Sequence, residues 1–106
     1  MHPGSETPVF SIDVTRDGAV VTATVTGEID AATAGELETA LVSAVPGATS
    51  IDVDMAAVGF MDSSGLRAMV IAMYAADEAG VPLRIVATTP TVDRLLSITG
   101  LTEKLT

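Results

Sequence analysis

At 106 residues the chain has room for a single domain, and with 48% apolar residues and a mean hydropathy of +0.50 it can fill an ordinary core. The absence of cysteine excludes a disulfide framework and thiolate metal ligation, and it fits a reducing cytoplasm. Acidic residues outnumber basic ones 14 to 5, and only three residues are aromatic, so binding to nucleic acid or to an anionic membrane surface is disfavoured and a partner with a basic or mixed face is favoured.

Residues 1–8, in which Pro3, Gly4 and Pro8 stand among small polar neighbours, are expected to form a disordered tail. They lack the basic and apolar regions of a signal peptide. Val9–Val14 reads as a first strand and Asp17-Gly18 as a tight hairpin turn. Val21, Ala23 and Val25 then alternate with Thr22, Thr24 and Thr26, which predicts a second, antiparallel strand over Ala19–Thr26. Gly27-Glu28-Ile29-Asp30 closes that strand. Asp30 is placed to cap a helix in which Leu37, Leu41 and Val45 recur on one face until Pro46-Gly47 ends it.

Ser50–Met55 reads as a third strand, with Phe60-Met61 in the loop that follows. Leu66, Met69, Val70, Met73 and Ala76/Asp77 give the clearest helical period in the chain, stopped by Gly80 and Pro82. The uncharged run between Arg67 and Asp77 is about half the roughly 20 residues that span a bilayer. Leu83–Ala87 is a fourth strand, and Thr89-Pro90 opens a third helix carrying Val92, Leu95, Leu96 and Leu101. A short fifth strand is expected near Leu105. The order β-β-α-β-α-β-α-(β) predicts an α/β domain over residues 9–106 with a mixed four- to five-stranded sheet.

Chemistry concentrates in Phe60-Met61-Asp62-Ser63-Ser64-Gly65-Leu66, at the end of a central strand and the start of the most amphipathic helix. Taken alone, Asp62-Ser63-Ser64-Gly65 is a helix cap, because Asp and Ser side chains satisfy the free N–H groups of a first turn. A hydroxyl there is also expected to face solvent, with Gly65 leaving room for an approaching partner. Together with Gly27-Glu28-Ile29-Asp30 and Pro90…Val92…Leu95-Leu96…Gly100-Leu101, this segment resembles the STAS family of anti-sigma factor antagonists.

The resemblance implies a STAS-like single domain with helices packed mainly on one side of the sheet, acting as a non-enzymatic adaptor with no cofactor or metal. Such an adaptor binds an anti-sigma factor, usually a serine kinase with a GHKL-type fold, and so releases a sigma factor. It further implies that the kinase phosphorylates Ser63, which abolishes binding, and that a phosphatase reverses this. Asp30, Met61, Asp62, Ser64 and Gly65 form the expected neighbourhood of that serine and the partner contact, with Met61 exposed. A STAS subunit of a lipid-transport ABC system, or of a stress-signalling assembly, is the alternative; the Asp62-Ser63 pair favours the switch.

Other chemistries lack their parts. The sole histidine, His2, lies in the tail and no Gly-x-Ser-x-Gly elbow is present, which argues against a serine hydrolase. Asp52, Asp54 and Asp62 suggest a receiver-like acyl-phosphate site, but Asp13 stands alone in the first strand and Lys104 is the sole lysine. Asp52 is unexpected in a central strand unless one sheet face is exposed. Met55, Met61, Met69 and Met73 read at helical spacing as core filler rather than soft-metal ligands, with an exposed Met61 beside Ser63 offered instead to the partner contact.

Overall fold

The computed structural model describes residues 10–99. Two strands form the opening hairpin, β1 (Phe10–Asp17) and β2 (Val20–Ile29). Asp17 pairs with Val20, so the loop is Gly18-Ala19, and Gly18 supplies the positive φ (63°) that a two-residue hairpin loop requires. Helix α1 (Ala34–Ala44) leads to β3 (Ser50–Met61), α2 (Ser63–Glu78) to β4 (Leu83–Ala87), and α3 (Pro90–Thr99) follows. The strands lie in the order β1-β2-β3-β4; β1 is antiparallel to β2, and β2, β3 and β4 are parallel. The expected tail and the short strand near Leu105 fall outside the described residues.

The sheet has one apolar face. Val21, Ala23 and Val25 of β2 and Ile51, Val53 and Met55 of β3 are fully buried on it, beneath Leu37 and Leu41 of α1 and Met69 and Ala72 of α2. Each such aliphatic side chain contributes roughly 1.5–3 kcal/mol when removed from water. Met55, Met61, Met69 and Met73 all lie in this core, as filler requires. The opposite face carries Thr22 and Thr24, then Asp52 and Asp54, then Arg84 and Val86. The unexpected Asp52 therefore sits on the open face, with its Oδ1 3.9 Å from the Arg84 guanidinium.

The stop of α2 and the start of α3 follow their sequence signals. Val81 N–H donates to the Ala76 carbonyl (2.8 Å) and Gly80 N–H to that of Asp77 (3.0 Å), while Gly80 takes φ 72°; this is a Schellman stop for α2. The Thr89 hydroxyl accepts from Val92 N–H (3.4 Å) and donates to the Val58 carbonyl (3.1 Å), which pins the start of α3 to β3. Arg16, on the apolar side of the edge strand β1, donates to the Ala44 carbonyl (2.8 Å) and closes the C-terminus of α1.

Two elements differ from expectation. β3 runs on through Phe60 and Met61 instead of giving way to a loop after Met55. The buried stripe of α2 is Gly65, Ala68, Met69, Ala72, Met73 and Ala76, whereas Leu66 and Val70 are only half-buried. Small residues let α2 approach the sheet and α1 closely, so the line of contact runs through its alanines and not its largest side chains.

Candidate functional site

Parallel pairing of β2 with β3 builds the site. Ile29 and Met61 are register partners at the C-terminal ends of these two strands, and Asp62 N–H donates to the Ile29 carbonyl (3.1 Å). Neighbouring strands lie about 4.8 Å apart, so the residues that follow this pair, Asp30 and Asp62, begin the next two turns side by side. The two aspartates use one device. Asp62 Oδ1 accepts from the N–H groups of Ser64 (2.8 Å) and Gly65 (3.4 Å), and Asp30 Oδ1 accepts from Ala32 N–H (2.9 Å).

Asp62 is the N-cap of α2, as Asp-Ser-Ser-Gly suggested. Asp30 is not the cap of α1; that position belongs to Thr33. The reason is the extra turn between strand and helix, in which the Thr33 hydroxyl accepts from Asp30 N–H (3.0 Å) and donates to the Glu28 carbonyl (2.9 Å). Thr33, almost fully buried, thus holds the Asp30 turn closed. Its signal in the sequence was a hydroxyl three residues beyond an aspartate.

Ser63 is the first residue of α2 and its side chain is exposed; Ser64 is half-buried and lines a shallow cleft of about 220 Å³. The cleft lies between the first turns of α1 and α2, with Ala31, Gly35 and Glu38 on one wall and Ser64 and Arg67 on the other. Arg67, which the sequence did not single out, lies one helical turn beyond Ser63.

Two expected contact residues are placed differently. Met61 is 4% exposed and belongs to the core, whereas Phe60 is 45% exposed. Register shifts along β3 turn residue 61 inward with Ile29 and residue 60 outward with Glu28. Gly65 is buried, and a Cβ there would lie 2.5 Å from Met61 Cγ and 2.7 Å from Ile29 Cγ2. Its missing side chain makes room for the sheet and not for a partner.

Asp52 and Asp54 lie on the open sheet face, away from Asp62. Among the described residues no group of three or more His, Cys, Asp or Glu could hold a metal ion. No helix among them is long and apolar enough to cross a membrane.

This four-stranded mixed sheet with three helices is the fold of a STAS domain, as expected. Residues 11–106 match the STAS domain family, and the chain belongs to it. Among solved structures, an anti-sigma factor antagonist from Mycobacterium paratuberculosis is 30% identical with a TM-score of 0.77, over 89% of this chain and 80% of that one. The anti-sigma factor antagonist SpoIIAA in its unphosphorylated form is 20% identical with a TM-score of 0.75, over 91% and 86% of the two chains. The Bacillus cell fate determinant SpoIIAA in its phosphorylated form is also 20% identical, with a TM-score of 0.70 over 91% and 89%. No curated protein matches this chain.

Proposed function

We propose that this chain is a cytoplasmic anti-sigma factor antagonist. It binds an anti-sigma factor that is also a GHKL-type serine kinase, frees a sigma factor, and is switched off by phosphorylation of Ser63. The observation that carries this reading is an exposed serine hydroxyl opening α2 beside two carboxylates already held by backbone N–H groups. In the switching step Ser63 Oγ forms a bond to the γ-phosphorus of ATP and the bond to the β-bridging oxygen breaks. The hydroxyl proton passes to a base of the kinase and ADP leaves; a phosphatase later hydrolyses the ester. The domain is the substrate of this chemistry and not its catalyst.

The phosphate adds about −1.5 to −2 charges at the positive end of a helix dipole, where the fold tolerates them. At the interface the effect is opposite. A partner that docks over Ser63 must strip water from a dianion set beside the Asp30 and Asp62 turns, which costs on the order of 1–3 kcal/mol where the partner supplies no counter-ion. Each 1.4 kcal/mol is about tenfold in affinity, so binding falls by roughly ten- to a hundredfold. Phe60, exposed at the end of β3, takes the apolar contact expected of Met61.

Ser63→Glu is expected to melt like wild type yet bind the anti-sigma factor at least tenfold more weakly in titration calorimetry, by the same conversion. Ser63→Ala is expected to bind normally and to take up no phosphate from kinase and ATP. Wild-type binding by Ser63→Glu, or phosphate mapped elsewhere, would count against the switch. Recovery of transporter subunits instead of a kinase in a pull-down would favour the lipid-transport alternative.

A further inference from the structure

Arg67 stands out in a chain with a formal charge of −9, because its side chain makes no ion pair or hydrogen bond with another described residue. It is exposed, and it lies four residues beyond Ser63, also exposed, on the same edge of α2. Residues four apart on a helix are neighbours, and Cα–Cβ bonds lean toward the N-terminus, so a long side chain at 67 reaches back over 63. The favoured sense of such a pair is the anion first and the cation four later. A guanidinium also matches a phosphate with two parallel N–H donors, which an ammonium cannot do.

The carboxylates nearby leave this partnership open. Asp62 and Asp30 each accept backbone N–H groups of their own turns, and Glu38, on the facing wall of the cleft, lies beyond ion-pair distance of Arg67. We propose that Arg67 is the internal counter-ion of phosphorylated Ser63: its guanidinium closes on the phosphate oxygens and holds the group back along α2. This rests on Ser63 as the modified residue, and it assigns to Arg67 a positioning role that unmodified protein does not use.

The test needs no kinase. Phosphoserine is placed at position 63 by genetic-code expansion in the wild-type, Arg67→Gln and Arg67→Lys chains, with circular dichroism to check the fold. The second ionisation of the phosphate is then followed by phosphorus NMR. An i, i+4 ion pair favours the dianion, so the wild-type midpoint should lie about 0.2–0.4 pH unit below that of Arg67→Gln. Arg67→Lys should keep part of the shift, and roughly 1 M salt should erase most of it. The Arg67 Nε–H resonance should titrate with the phosphate. Equal midpoints in wild type and Arg67→Gln, with an Arg67 resonance indifferent to phosphate charge, overturn the proposal while leaving the switch intact. Failure of a kinase to modify Ser63 would sink the switch and leave the pairing measurable.

Discussion

Gly65 shows how much hangs on one missing methyl group. A Cβ there would come within 2.7 Å of both Met61 Cγ and Ile29 Cγ2, and both side chains are themselves buried. Gly65→Ala must therefore push α2 off the ends of β2 and β3, an overpacking cost of about 1–3 kcal/mol. The expected result is a thermal midpoint lowered by several degrees together with weaker partner binding, since the two turns bearing Asp30 and Asp62 lose their alignment. A melt like that of wild type would show that the junction can yield. Asp62→Ala acts at the other side of the same turn. It removes the acceptor for the Ser64 and Gly65 N–H groups and should cost about 1 kcal/mol, read by denaturant unfolding. At this scale the motif is legible as a cap, but the neighbours that fill the space at Gly65 are not. Sequence shows that a side chain is absent and not which neighbour fills the space.

β3 illustrates what an element conceals. Ile51, Asp52, Val53, Asp54 and Met55 alternate cleanly, so the strand was visible up to Met55. Beyond it Ala56, Ala57 and Gly59 have weak strand preference, and two register shifts break the period of two. That is why Met61, expected to be exposed, turns into the core while Phe60 faces solvent. The helical stripe of α2 was misplaced for a related reason: Leu66 and Val70 outweigh Ala68 and Ala72 in any hydrophobic reading, yet close packing favours the small residues. Asp52 belongs to this scale too. Its Oδ1 is shielded from solvent and has no hydrogen bond among the described residues, while exposed Arg84 lies 3.9 Å away. A long pair with an exposed partner contributes little. Asp52→Thr, which extends the threonine row of the neighbouring strand, should raise stability by about 0.5–1 kcal/mol in urea unfolding. A loss of similar size would mean that the carboxylate has a use this face does not reveal.

For the molecule as a whole, element order alone foretold the parallel crossovers, and Asp52 in a central strand was the one sign of an exposed sheet face. The net charge is the property a partner meets first. With −9 on a small domain, association with a basic face should be electrostatically steered and should slow by on the order of tenfold or more between low and roughly 0.5 M salt in stopped-flow mixing. A rate indifferent to salt would argue for a contact led by apolar groups such as Phe60.

The uneven pairing of β2 with β3 also limits how this chain can change in length. Between Thr24 and Ile29 the first of these strands advances five residues, while its neighbour advances seven, from Asp54 to Met61. The surplus is even, so inward and outward positions are back in phase where the strands end. A single-residue deletion among positions 55–60 would put them out of phase, aim methionine at water and phenylalanine at the core, and swing the serine turn off its neighbour. Removing two residues would keep the faces in phase, so natural variation here should come in pairs.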